Sequence, residues 1–179
     1  MKNKTREIVL IALFIALAIV LDLIKEMLPF LNMPSGGSIN IALIPVVVGS
    51  FVLGYKKGIV IGLMWWLLTF VMGMNRWFIN IPQYLLDYII PSGIVGISSI
   101  FFKKKKVSET ILGICLAMLI RTISIVVSGA IYWPGDAASG SVAAWVGSLS
   151  YNLPYSLATL AMLIIVVPII LNAIKKYLV

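Results

Sequence analysis

The chain has 179 residues, of which 61% are apolar, and a formal net charge of +8. Soluble domains are typically about 45–50% apolar, so this composition favours an integral membrane protein. The positive charge lies in short clusters rather than on one basic face, which argues against nucleic acid as a partner. The sequence has no His and a single Cys, Cys115. We therefore expect no metal site and no cofactor.

Long apolar stretches recur along the sequence and predict helices. A helix needs about 20 residues to cross a bilayer, and we identify six candidates. They are Glu7–Leu28, Ile39–Leu53, Gly58–Met74, Pro82–Phe102, Glu109–Tyr132 and Ala143–Leu171. The sequence therefore predicts an all-α integral membrane protein, with a single six-helix transmembrane domain over residues 1–179. The first stretch is long and others follow it, so it is interpreted as a retained span rather than a signal peptide.

Basic clusters alternate with nearly neutral loops between these spans. Eleven of the 14 Lys and Arg residues fall at the two ends and in two short loops: Lys2, Lys4, Arg6, Lys56, Lys57, Lys103, Lys104, Lys105, Lys106, Lys175 and Lys176. The other loops hold only Arg76 and Asp136 as charges. Because basic loops stay in the cytoplasm, we predict cytoplasmic termini and a multi-pass protein of the plasma membrane.

Asp87 is the first candidate for ligand binding, because it lies about one and a half turns inside the fourth predicted span. A carboxylate at this depth is costly unless it faces a polar cavity or a partner. A ligand-binding role is therefore favoured over a helix-end acid that reaches interfacial water.

Aromatic residues are predicted to crowd the same outer side. They are Trp77, Phe78, Tyr84, Tyr88, Tyr132, Trp133, Trp145, Tyr151 and Tyr155. Trp and Tyr also form belts at membrane interfaces, and we assign about half of them to such a belt. The remainder, together with Asp87, would suit a flat, aromatic, positively charged ligand held by cation–π contacts.

The start of the sixth predicted span is polar. Its Tyr151 and Asn152 are able to hydrogen-bond either a ligand or a neighbouring helix, and the sequence does not decide between these roles. Pro91 and Pro154 are predicted to kink their helices and open space near the outer end.

Two further features have structural interpretations. Arg121, inside the fifth span, is interpreted as a residue that reaches the cytoplasmic side, pairs with Asp22 or Asp87, or caps a carbonyl. Ala12 and Ala16 form a stripe of small residues on the first span, where another helix is able to approach closely. Walker A, His-Glu-x-x-His and Gly-x-Ser-x-Gly motifs do not occur in the sequence, so we do not expect an enzyme.

Four short motifs occur in an order and spacing that are fairly specific together. They are Ser35-Gly-Gly-Ser38 ahead of Ile44-Pro45, Leu85-Leu-Asp-Tyr88, Ser128-Gly-Ala-Ile-Tyr-Trp133 and Trp145-Val-Gly-Ser-Leu-Ser-Tyr-Asn152. With them, nearly the whole chain resembles the substrate-binding S component of a bacterial energy-coupling factor (ECF) vitamin transporter. Among these proteins it is most similar to the thiamine-specific family.

The resemblance implies which residues bind the ligand. The expected set is Asp87, Tyr88, Trp133, Asn152, Tyr151, Ser38 and Tyr84. The family usually has Glu where this chain has Asp87, so the carboxylate reaches one methylene less far. Two positions depart from the family pocket: Ile125 replaces a His, and Gly147 replaces a Tyr.

The resemblance also implies the function and the partners. We expect a high-affinity subunit that binds thiamine or a related precursor from outside. It would then dock on an ECF transmembrane coupling subunit driven by two ATPase subunits, through a surface that includes Ala12 and Ala16. An S component for a different vitamin is the first alternative, and a stand-alone secondary transporter is the second. The latter would need a relay of acids or His, for which Asp87 is nearly the only candidate.

Overall fold

The structure is a computed structural model, and it describes residues 2–34, 36–74, 77–102 and 106–174. Six helices follow one another in these residues: α1 (Lys2–Glu26), α2 (Leu43–Leu53), α3 (Tyr55–Val71), α4 (81–99), α5 (Val107–Tyr132) and α6 (Val142–Ala173). A short 3₁₀ turn, Pro29–Leu31, follows α1. The described residues form no β-strand, only an isolated bridge between Asn32 and Ser38. The predicted all-α fold is confirmed.

The helices differ in their ability to cross a membrane. Three described helices are long and apolar enough to do so, namely Lys4–Glu26, Val107–Tyr132 and Val142–Ala173. The second predicted span was placed too early, because the helix begins at Leu43 rather than at Ile39. Before it, the Asn40 side chain accepts a hydrogen bond from the Ala42 N–H, and the Asn40 N–H donates to Thr159 Oγ1. These two hydrogen bonds are formed where the predicted span would have its first helical turn, and the helix begins only after them. The resulting 11-residue helix is roughly 16 Å long, well short of a bilayer core.

Helix α2 lies at the centre of the bundle, which explains why it is apolar on all sides. Seven consecutive residues, from Pro45 to Phe51, are buried. The apolar core around it draws on the other helices through Ala18, Ile61, Val95, Ile114 and Leu163. A helix without a polar face needs such an enclosed position. The long helices on the outside leave their lipid-facing apolar side chains exposed.

Two ends of the bundle are defined by the helices that begin or finish there. At the basic end, where α3 and α5 begin, Lys57 Nζ lies 2.7 Å from Glu7 Oε1. The predicted basic residues Lys103, Lys104, Lys105, Lys175 and Lys176 lie outside the described residues. The cavity end is where α4 begins, α5 finishes and α6 begins.

Candidate functional site

A cavity of about 710 Å³ lies at the cavity end, between α4, α5 and α6. This volume is within the range of small-molecule binding sites. Five of the expected ligand-binding residues line it: Asp87, Tyr88, Trp133, Tyr151 and Asn152. Tyr84 and Ser38 are not in its lining. The structure thus brings together residues that are 65 positions apart in the sequence, from Asp87 to Asn152.

The local form of α4 gives Asp87 its position. This helix consists of four consecutive segments: Ile81–Tyr84 is α-helical, Leu85–Ile89 is π-helical, Ile90–Ile94 is α-helical and Val95–Ser99 is 3₁₀. Pro91 lacks the N–H that an α-helix would donate to the Asp87 carbonyl, and its ring crowds that carbonyl. The helix instead widens into a π-helical turn, in which the Ile90 N–H donates a hydrogen bond to the Leu85 carbonyl, five residues earlier. Such π-helical turns occur frequently at functional sites.

Two donors hold the Asp87 carboxylate in place. Gln83 Nε2 donates to Asp87 Oδ2 at 2.7 Å, and Trp133 Nε1 donates to the same oxygen at 3.0 Å. Hydrogen bonds to an ionised carboxylate are stronger than neutral ones. The carboxylate is therefore fixed at the cavity wall, and both donors bind Oδ2 rather than Oδ1.

Gln83 connects this carboxylate to the segment before α4. Its side chain is fully buried. Its Nε2 also lies 3.3 Å from the Trp77 carbonyl, and its Oε1 accepts from the Ile79 N–H at 2.9 Å. Gln83 was not among the ligand-site residues predicted from the sequence. Its position four residues before Asp87, on the same helix face, was the available signal.

Aromatic rings form the outer wall of the cavity. Trp77 and Trp133 both line it, in an edge-to-face arrangement with ring centroids 6.4 Å apart. Tyr88 also lines it, and Tyr84 stacks behind Tyr88 at 4.7 Å. Tyr84 is only 7% exposed and contacts Phe70 and further rings. Tyr84 is therefore placed against Tyr88, outside the cavity lining.

Hydrogen bonds connect the residues of α6 that line the cavity to one another and to α5. Ser148 Oγ donates to the Val126 carbonyl on α5 at 2.8 Å. Asn152 Nδ2 donates to the Ser148 carbonyl at 2.9 Å, and Asn152 Oδ1 accepts from the Tyr155 hydroxyl. Both ends of the Asn152 amide are thus occupied within α6, and the amide bonds no neighbouring helix among the described residues. Gly129 permits this contact, because a Cβ there would meet Ser148 Oγ.

The loop between α1 and α2 packs beside the cavity. Its described residues form a tight turn, in which the Gly36 N–H donates to the Met33 carbonyl at 2.9 Å. Gly36 and Gly37 have positive φ and lie so close to the rings of Tyr151 and Tyr155 that side chains there would collide with them. Ser38 follows in the bridge to Asn32, and Ser35 lies outside the described residues.

The two positions that depart from the family pocket both lie in the cavity lining. Ile125 presents an apolar surface where the family has a His. A Cβ added at Gly147 would meet no other atom within 4 Å, so the space there is open. The cavity is therefore less polar on the α5 side and wider on the α6 side than the family pattern implies.

Arg121 also lines the cavity, which differs from its interpretation as a structural residue. Neither proposed ion pair forms, because Asp22 pairs with Lys25 at 2.8 Å and Asp87 is held by Gln83 and Trp133. The missed signal was spacing: Arg121 lies four and eight residues before Ile125 and Gly129, on the same face of α5.

The chain is similar to known membrane transporters in sequence and in fold. The sequence profile of the family described as "Thiamine transporter protein (Thia_YuaJ)" matches residues 8–179. The chain is 34% identical to "Thiamine transporter ThiT" of Bacillus subtilis, over 86% of this chain and 85% of that protein. It is 33% identical to "Riboflavin transporter RibU" of Lactococcus lactis, over 73% and 63% of the two chains. The solved structure of ThiT from Listeria monocytogenes has the same fold, with a TM-score of 0.78 at 24% identity over 98% of each chain.

These relatives and the apolar helices define a class: a multi-pass bacterial membrane protein for vitamin transport, and not an enzyme. Within that class, the chain belongs to the thiamine transporter protein family. The resemblance to the thiamine-specific family, inferred from the four sequence motifs, is confirmed.

Proposed function

We propose that this chain is the S component of an ECF transporter and that it captures thiamine or a closely related precursor from outside the cell. The observation that carries the proposal is the Asp87 carboxylate, fixed in the wall of a cavity of about 710 Å³ that Trp77 and Trp133 also line. A carboxylate beside aromatic faces suits a flat cation. Each cation–π contact contributes about 0.5–2 kcal/mol.

The orientation of the cavity supports capture from outside. The cavity lies at the opposite end of the bundle from Lys57 and from the start of α5. Because basic segments stay in the cytoplasm, the cavity end faces outward. The ligand would then be released inward only after a partner changes the position of the whole subunit in the membrane.

A docking surface on α1 supports a role for such a partner. Ala12 and Ala16 are exposed, whereas Ala18 faces the core of the bundle. Larger exposed apolar residues, among them Leu13 and Leu17, flank the two alanines. Small residues on an exposed helix face let another helix approach closely in the membrane. We assign this surface to the ECF coupling subunit, which acts with two ATPase subunits.

Ligand titration tests the capture step. The purified protein in detergent would be titrated with thiamine, riboflavin and pantothenate while its tryptophan fluorescence is recorded. Two of its five Trp residues, Trp77 and Trp133, line the cavity, so we expect saturable quenching by thiamine alone. Saturable quenching by riboflavin or pantothenate, without a response to thiamine, would reject thiamine and retain vitamin capture.

Co-purification tests the docking step. We expect the double substitution Ala12→Leu and Ala16→Leu to abolish co-purification with the ECF coupling subunit while thiamine binding is unchanged. Ala161→Leu is the matched control, because Ala161 is an exposed alanine on α6. If both variants keep the complex, or both lose it, the α1 surface is not the docking site.

A further inference from the structure

Arg121 is a positive charge in the same cavity as Asp87. It lies on α5, and it lines the cavity together with Ile125, one turn further along the helix. Trp133, at the end of α5, is twelve residues away, which corresponds to roughly 18 Å along the helix axis. Trp133 is the residue that binds Asp87. Nearer to Arg121, Ser124 Oγ donates to the Leu86 carbonyl beside Asp87 at 2.7 Å, so α4 and α5 bring the acid and the base into one cavity without an ion pair between them.

The Arg121 side chain has no acceptor in the part of the chain that the structure describes. Its Nε is buried and makes no hydrogen bond. The described ion pairs use Lys25 and Lys57 as their cations, and Arg121 takes part in none of them. Its guanidinium lies near the Tyr155 hydroxyl, which donates to Asn152 Oδ1, and no hydrogen bond joins the guanidinium to that hydroxyl in the described residues.

An unpaired guanidinium inside a membrane bundle is costly. Removing a charge from water costs several kcal/mol unless hydrogen-bond partners replace the water. Intramembrane charges without a partner are therefore functional candidates by default. Asp87 does not neutralise Arg121, because no ion pair joins them, and the acid is held by Gln83 and Trp133.

We propose that Arg121 is a second ligand-binding residue, which takes an oxyanion, a phosphate or a carboxylate, of the ligand that Asp87 also binds. The planar fork of N–H donors in arginine matches these groups in two-point contacts. The inference rests on the proposed function, in which Asp87 takes the cationic or donor group. The cavity then selects a ligand that carries both a positive and a negative group, rather than a simple cation.

The test compares three related ligands on two variants. Thiamine, its monophosphate ester and the acid made by oxidising its hydroxyethyl group to a carboxylate would be titrated by calorimetry. The proteins are wild type, Arg121→Gln and Arg121→Lys. We expect Arg121→Gln to weaken an oxyanion-bearing ligand about tenfold or more, and thiamine less than about threefold. Arg121→Lys keeps the charge and should retain part of the preference. The ligand that loses affinity identifies the oxyanion.

The outcomes separate this inference from the proposed function. If Arg121→Gln weakens all three ligands equally, or none, Arg121 does not bind an oxyanion and the proposed function stands. If wild type binds none of the three, both are rejected. Circular dichroism and the thermal midpoint of each variant check its folding. Should Arg121→Gln not fold, the decision passes to Arg121→Lys, for which an unchanged ratio of the affinities would reject the inference.

Discussion

The two ends of the helix bundle are built in opposite ways. At the basic end, α3, α4 and α5 touch through their backbones: a Cβ at Gly96 would meet the backbone of Gly58, and a Cβ at Gly113 would meet the Ser98 carbonyl. At the cavity end, helices α4, α5 and α6 surround 710 Å³ of space. Helices α4 and α5, which take part at both ends, are thus closely packed at one end and border the cavity at the other.

The difference shows how a small bundle combines stability with a binding site. Glycines at the basic end permit close backbone packing, which contributes dispersion contacts without cavities. At the cavity end, Pro91 widens α4 and side chains such as Trp133 separate the helices. Polar bonds across the opening, such as that from Ser124 Oγ to the Leu86 carbonyl at 2.7 Å, then hold the walls at fixed positions.

The largest effect on the cavity end is expected from Trp133→Ala. This change removes both an aromatic wall and a donor to Asp87, and we predict about 100-fold weaker thiamine binding. Trp133→Phe keeps a ring and loses only the donor, so its loss should be about tenfold. Calorimetric titration measures both, with Trp145→Ala as the control outside the cavity lining. Equal binding by Trp133→Ala and wild type would show that this wall does not contact the ligand.

The close backbone packing at the basic end is tested by Gly113→Ala. Its new methyl group would collide with the Ser98 carbonyl, and overpacking of this kind costs about 1–3 kcal/mol. We predict a clearly lower thermal midpoint in detergent. Gly147→Ala is the matched control at the cavity end, because its methyl group has no other atom within 4 Å and alanine stabilises a helix relative to glycine. Its midpoint should be unchanged or higher, and similar losses in both variants would remove the contrast between the ends.

A smaller effect is expected from Gln83→Leu. It deletes the 2.7 Å donor to Asp87 and the acceptor for the Ile79 N–H, so the carboxylate becomes less well positioned. We predict about tenfold weaker thiamine binding. Ser98→Ala is the counterpart at the basic end, where Ser98 Oγ bonds only the Val95 carbonyl, and it should bind thiamine normally. Unchanged binding by Gln83→Leu would show that Gln83 does not position the acid.

The helices were predictable from the sequence because the length of an apolar stretch is a local signal, and so is the alternation of basic and neutral loops. Asp87 was identifiable for the same reason, since a carboxylate stands out within an apolar span, whereas Trp133 was selected among nine aromatic residues only through the family resemblance. The late start of α2 was not readable, because it depends on the bond from the Asn40 N–H to Thr159 on a distant helix. The ion pairs expected for Arg121 with Asp22 or Asp87 do not form among the described residues, which is visible only once the neighbouring helices are placed.

The proposed function requires that Asp87 binds the cationic or donor group of a thiamine-like ligand. The most direct test is the affinity of Asp87→Asn for thiamine, measured by calorimetry beside wild type. Asp136→Asn is the control, because it makes the same change of charge at an exposed loop residue. We predict that Asp87→Asn binds thiamine about 100-fold more weakly, while Asp136→Asn binds it normally. Wild-type affinity in Asp87→Asn would contradict the account.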